Sequence, residues 1–155
     1  EADALVTCGV DILALQGTSG LRPGGQSSAE FIRSVREKYP DQLIMADIAT
    51  VEEALDCASA GADFVGTTMR GYTEETRGIN EIDYDFIRTL VKICPAKVIA
   101  EGHIHDPGQA VKALEAGAFA LVVGGAITRP AEITARFTSA INAKYQGNFF
   151  FSFNG

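Results

Sequence analysis

Short apolar runs alternate with longer amphipathic stretches along the whole chain. Runs at 10–15, 43–48, 63–67, 97–101 and 119–123 each have the length of one strand. They are too continuously apolar for a strand with one wet face, and so read as buried parallel strands. Helical stretches lie between them. Residues 1–8 end at Gly9, a C-cap glycine. Ser27-x-x-Glu30 and Thr50-x-x-Glu53 are capping boxes. The first stands before a face made of Phe31, Ile32, Val35 and Tyr39; the second opens a helix that ends at Gly61. A helix over 84–93 stops before Pro95. Asp106-Pro107 supplies an N-cap and a first-turn proline for a helix that ends at Gly117. A last helix runs from about Pro130 to Ala143. A pattern of glycine, two residues and then an apolar run recurs at Gly9, Gly61 and Gly117, two β/α units apart each time.

Strict β/α alternation predicts a parallel sheet with right-handed crossovers. Five units do not close the usual eight-stranded barrel. The pattern therefore leaves two architectures, an open doubly wound sheet or five of the eight units of a barrel. Residues 1–145 read as a single domain. Residues 146–155, rich in Phe, form a tail whose role the pattern does not give.

Composition narrows the classes of function. A hydrophobic share of 46% in 155 residues suffices for a real core. A net charge of -7 and a pI near 4.8 argue against nucleic acid and anionic membranes as general partners. No apolar run approaches the roughly 18 residues that span a bilayer. No secretory leader is visible at Glu1, where the sequence begins without Met. Cys8, Cys57 and Cys94 have no paired spacing, so they read as reduced core thiols of a cytoplasmic protein.

In Val98-Ile99-Ala100-Glu101-Gly102-His103, an apolar strand runs straight into a carboxylate. Strand C-termini are where α/β folds keep their chemistry, and a carboxylate there must find a partner, shift its pKa or do work. Asp47, after Leu43-Ile44-Met45-Ala46, has the same form. Its plainer reading is a residue that holds loop amides or caps the next helix. In a barrel, one rim would collect Gln16 to Arg22, Asp47, Thr67 to Thr73, Glu101 to His105, and Gly124 to Arg129. Gly124-Gly125-Ala126-Ile127-Thr128-Arg129 reads as a phosphate cradle. Its glycines let backbone N–H groups approach an anion, and Arg129 adds a bidentate donor. Thr67, Thr68, Tyr72 and Thr73 offer hydroxyls to a sugar, with loop hydrogen bonding as the alternative. His103-x-His105 lacks a third ligand at a metal-like spacing, so no metal is expected. The glycine strings match neither the dinucleotide fingerprint nor the P-loop.

With these residues placed, the chain resembles the N-acylglucosamine-6-phosphate 2-epimerase family, also called N-acetylmannosamine-6-phosphate 2-epimerase. The resemblance is carried by Met45-Ala46-Asp47-Ile48-Ala49-Thr50 with Glu52-Glu53-Ala54, and by Val65-Gly66-Thr67-Thr68 with Gly71-Tyr72-Thr73. Val98-Ile99-Ala100-Glu101-Gly102 and Val122-Val123-Gly124-Gly125-Ala126-Ile127-Thr128-Arg129-Pro130 with Ile133-Thr134 complete it. It implies a TIM-type (β/α) barrel of the ribulose-phosphate-binding kind, with five of eight units in this chain. It also implies an isomerase of sialic acid catabolism that removes and returns the C2 proton of N-acetylmannosamine 6-phosphate. That reaction uses a lysine and a glutamate and needs no cofactor. Glu101 falls on the glutamate. Gln16, Arg22, Thr67, Tyr72 and Gly102 would contact the amino-sugar phosphate, and Gly124, Gly125 and Arg129 its phosphate.

Two departures accompany the resemblance. The family's three opening units, with the catalytic lysine and a pocket arginine and glutamine, are not among those legible here, and Lys38, Lys92 and Lys97 stand at the wrong places to substitute. In Ala14-Leu15-Gln16-Gly17-Thr18-Ser19-Gly20-Leu21-Arg22-Pro23, Gln16 stands where the family pattern has an aspartate, and Gly20 where a basic residue often is. The rival expectations are another phosphate-barrel isomerase or lyase, or a chain that is catalytically incomplete without the lysine. Open sheet edges predict a homodimer.

Overall fold

The structure, a computed structural model, describes residues 1–145. The tail expected at 146–155 lies outside the described residues. Five parallel strands form one sheet in the order β1-β2-β3-β4-β5: β1 (Ile12–Gln16), β2 (Leu43–Asp47), β3 (Phe64–Gly66), β4 (Lys97–Glu101) and β5 (Ala120–Val122). This order decides between the two architectures. A doubly wound sheet reverses its strand order at a switch point, whereas each strand here pairs with the next in sequence, as in a barrel wall. Among the described residues, β1 and β5 are the edges of an arc.

Alternate side chains serve two layers. Leu13, Leu15, Ile44, Ala46, Val65, Val98 and Ala100 face the helices and join Ile32, Val35, Ala54, Cys57, Ile87 and Leu90 in the main core. Met45, Phe64 and Ile99, with Ala120, form a smaller cluster on the other face. On that second face, Gln16, Asp47 and Glu101 end their strands at the same rim.

Helix starts are fixed by short-range chemistry. α1 (Ala2–Thr7) leads into β1 through Gly9, whose φ is 78°. Ser27 caps α2 (Ser28–Lys38) and Thr50 caps α3 (Val51–Ser59), each in a complete capping box. Asp83 caps α4 (Tyr84–Ile93), and Asp106 caps α5 (Pro107–Glu115) with Pro107 in its first turn. A one-turn α6 (Gly125–Thr128), which periodicity does not predict, precedes α7 (Pro130–Tyr145). α7 buries none of its residues and leaves Phe137 and Ile141 exposed.

At the opposite rim, Arg36 donates to the carbonyls of Gly61, Pro40 and Gln42 and to Asp63, which in turn accepts Ile44 N–H at 2.8 Å. This end of the sheet is closed by a structural network. One expectation is corrected: Cys8 is exposed at the C-cap of α1, a helix that buries none of its residues. Cys57 is buried and Cys94 partly so.

Candidate active site

The rim at the strand C-termini is built around Glu101. Its main chain is clamped by Thr67, whose hydroxyl donates to Glu101 O at 2.7 Å and accepts Glu101 N–H at 3.0 Å. Thr67 is buried in a 3-10 turn (Thr67–Met69) that continues β3. Its hydroxyl proton is therefore spent on holding Glu101, where the sequence reading has it facing a sugar. Past Glu101 the chain turns through Gly102 at φ 91° and His103 at φ 56°. This left-handed pair takes the backbone off the strand, and Gly102 accommodates it without a Cβ penalty.

The adjacent hydroxyl does something different. Thr68 Oγ1 lies 2.8 Å from Asp47 Oδ1 and 2.9 Å from Glu101 Oε2. Two carboxyls from two strands thus meet across one hydroxyl. Gly66 makes the room: it stands opposite Asp47 in register, and a Cβ there would come within 2.8 Å of Asp47 Oδ1 and 3.1 Å of Thr68 Oγ1. Burial pushes the Glu101 carboxyl above the usual range; the Thr68 hydrogen bond opposes this and the Asp47 charge adds to it. Burial also raises Asp47, again opposed by Thr68. Both carboxyls therefore tend to keep a proton where ordinary ones lose it, which is what a general acid near neutral pH needs.

Gln16 ends β1 opposite Asp47 and donates to Thr18 Oγ1 at 2.6 Å. The loops after β1 and β2 share one anchor, the buried Glu53. It accepts Ser19 N–H at 2.7 Å, Ala49 N–H at 2.8 Å and Thr50 N–H at 3.0 Å. Arg70 fastens the β3 loop, pairing with Asp83 at 2.9 Å, donating to Ala49 O and stacking 4.3 Å above the Phe86 ring. Tyr72 is exposed and lies parallel to the His103 imidazole, 5.1 Å away, while His103 Nε2 is 3.1 Å from Arg70 O.

Gly124 and Gly125 open α6, whose first N–H groups have no intrahelical acceptor. Arg129 ends that turn, exposed and paired with Glu132 at 2.8 Å. Arg22 sits apart from this group. Its guanidinium donates to Gln16 O at 2.6 Å and stacks 4.3 Å above Phe31 on α2. The structure thus joins Glu101, Gly102 and Thr67 directly, sets Gln16 one strand beyond Asp47, stacks Tyr72 on His103, leaves Arg129 paired with Glu132, and turns Arg22 toward the helix side.

Asp47 and Thr68, which the sequence places on the rim without tying either to Glu101, meet it here. Asp47 does not cap α3; Thr50 does. The signal for Asp47 was its likeness to Glu101, an acid at the end of an apolar strand. Among the described residues no group of three His, Cys, Asp or Glu is arranged to hold a metal, and no helix is long and apolar enough to cross a membrane.

Comparison with known proteins adds three findings. Residues 1–143 match the family model NanE, described as "Putative N-acetylmannosamine-6-phosphate epimerase". A protein of Caldanaerobacter subterraneus subsp. tengcongensis named "Putative N-acetylmannosamine-6-phosphate 2-epimerase" is 45% identical, over 96% of this chain and 62% of its own length. The solved structure of the N-acetylmannosamine-6-phosphate 2-epimerase from Clostridium perfringens superposes with a TM-score of 0.82 at 40% identity, over 90% of this chain and 60% of that one. A thiamine phosphate pyrophosphorylase from Pyrococcus furiosus, at 20% identity and a TM-score of 0.62, shares the fold. The chain spans about three fifths of the length of the relatives it matches. With a family match over nearly its whole length and a barrel wall that superposes on a solved epimerase, the chain belongs to the NanE family.

Proposed function

We propose that the protein epimerises N-acetylmannosamine 6-phosphate to N-acetylglucosamine 6-phosphate at C2, in the breakdown of sialic acid, and that Glu101 is one of the two groups that handle the proton. The observation that carries this reading is the half-buried Glu101 carboxyl, aimed from the end of β4 and holding its proton above the usual range. The family name and the relatives' names support the choice of substrate over that of another phosphate-barrel isomerase or lyase.

The C2 proton becomes acidic only beside a carbonyl, so the reaction runs on the open-chain aldehyde and passes through an enolate. One group takes the proton from one face, and Glu101 delivers a proton to the other. Among the described residues no lysine stands on this rim. Lys97 begins β4 at the far end, over the Phe119 ring, and Lys38, Lys92, Lys112 and Lys144 belong to helices. The partner base is therefore assigned to β/α units of the kind that make up the rest of the relatives' length. The α6 turn suits the phosphate, through Gly124 and Gly125 main chain and Arg129, with the Glu132 pair opening as the anion arrives. Gln16, Gly102 and Tyr72 line the approach, Thr67 acts as the post behind Glu101, and Arg22 reaches sugar only by leaving Phe31.

Residues 1–145 act as one body in this reading. Pairing of two copies through the β1 and β5 edges belongs to this reading only if no further units cover those edges, and the unpaired cysteines support a cytoplasmic setting. The test is turnover by the native protein. N-acetylmannosamine 6-phosphate should be converted at least 100-fold faster than ketose or indole phosphates, and the opposite preference would move the protein to the rival class.

A further inference from the structure

The Thr68 hydroxyl touches two carboxyl oxygens but has one hydrogen to give. With both carboxyls ionised, one of the two close contacts would set two oxygens face to face with no hydrogen between them. With one proton added the chain is complete: a carboxyl O–H donates to Thr68 Oγ1, and Thr68 O–H donates to the other carboxylate. The surroundings are fitted to this arrangement. Gly66 leaves space for Asp47 Oδ1 and Thr68 Oγ1, and Thr67 locks the Glu101 backbone next door.

We propose that Thr68 is a positioning residue that makes Asp47 and Glu101 share one proton, so that the protonation of Glu101 is set by Asp47 across the hydroxyl. With the proton on Asp47, moving two hydrogens one step each leaves Asp47 ionised, Thr68 unchanged and Glu101 protonated. No other reactant is needed, and the net change is one proton moved from β2 to β4. A role for this proton in turnover rests on Glu101 acting as proposed above; the sharing itself does not.

Of the other charged groups nearby, Glu81 lines the same small pocket as Glu101, and Glu53 is engaged by three backbone amides. β3 and β5 carry none. Arg70 is committed to Asp83 and Ala49 O, His103 to Arg70 O, and Arg129 to Glu132. Lys97 lies at the far end of β4. On the helix side of the sheet, Asp85 and Arg88 of α4 pair with each other, and Lys92 lies in the last turn of that helix.

The experiment is a 13C titration of the Asp and Glu side-chain carboxyls in the full chain, with Asp47 and Glu101 assigned through D47N and E101Q. The expected result is two coupled steps, with both resonances responding in each. In T68V the two midpoints should draw together by about one pH unit, a tenfold fall in coupling, and T68S should restore their separation. T68A serves the same comparison if the valine variant does not fold. Independent single steps in the unaltered chain, or midpoints unmoved in T68V or T68A, would overturn the proposal. The assignment of Glu101 is tested separately, by epimerase activity of E101Q in the native protein. Survival of that activity removes Glu101 from the mechanism and leaves the titration result standing.

Discussion

Glu53 is the residue on which the rim depends without touching the chemistry. Its carboxylate accepts three backbone N–H groups, Ser19 from the β1 loop and Ala49 and Thr50 from the β2 loop. Those loops follow Gln16 and Asp47, so one buried side chain sets the spacing of two strand ends. Replacing Glu53 by Ala orphans all three donors. Each buried, unsatisfied donor costs about 1–3 kcal/mol. Ser19 is exposed, so water recovers that one, whereas Ala49 is fully buried and Thr50 partly so. Two orphaned amides and the lost methylene packing together give a destabilisation of about 3–5 kcal/mol. Against a typical total of about 5–15 kcal/mol, this is a severe loss. At this chain length it corresponds to a fall in melting temperature of about 10 °C. Glu53→Gln keeps one oxygen for Ala49 and Thr50 but turns an NH2 toward Ser19 N–H, so it should lose about half as much. The assay is urea unfolding followed by circular dichroism, with the slope compared across variants so that a change in midpoint reads as stability. A loss below about 1 kcal/mol for Glu53→Ala would show that the three amides find other partners, and the account of the rim would be wrong.

Three further outcomes are expected. Gly66→Ala drives a methyl onto the end of Met45 and onto Asp47 and Thr68, and should cost about 1–3 kcal/mol by overpacking; its unfolding midpoint, read beside the Asp47 and Glu101 titrations, should show both disturbed. Arg36→Ala removes the hub at the opposite rim and should cost about 2 kcal/mol, while both carboxyl titrations stay where they were. Glu101 and Asp47 are raised in the folded chain, so their contribution to stability is full below the ordinary carboxylate range and is lost as pH rises through their folded values. Glu101→Gln should therefore gain on the unaltered chain as pH rises from 4 to 8 in chemical unfolding, and a difference independent of pH would contradict the burial argument.

Much of this architecture was legible because its signals are local. Both capping boxes, the Asp106-Pro107 start and the glycines that end helices depend on neighbours a few residues away, and all stand where the pattern puts them. Strand limits shifted where tertiary bonding competes. β1 starts at Ile12 because Gly9 and Val10 donate back into α1. β3 stops at Gly66 because Thr67 turns to hold Glu101. α6 is one turn long and has no periodicity to detect. Glu101 could be singled out from its strand, but the company it keeps could not. Whether Asp47 faces a loop amide or the other carboxyl is decided by its register with Gly66, and Thr68 reaches its two partners across 21 and 33 residues of sequence. Thr67 and Thr68 look alike in sequence, and one step along the turn gives one to the backbone and the other to the side chains.

The central claim is that Glu101 transfers a proton at C2 of a sugar phosphate. It is tested most directly by incubating N-acetylmannosamine 6-phosphate in D2O with the native protein and with its Glu101→Gln variant, and following the C2 hydrogen by proton NMR. The native protein should replace that hydrogen by deuterium as N-acetylglucosamine 6-phosphate accumulates, and the variant should do so at least about 100-fold more slowly, the usual contribution of a positioned acid or base. Exchange and epimerisation by the variant at the native rate would contradict the account.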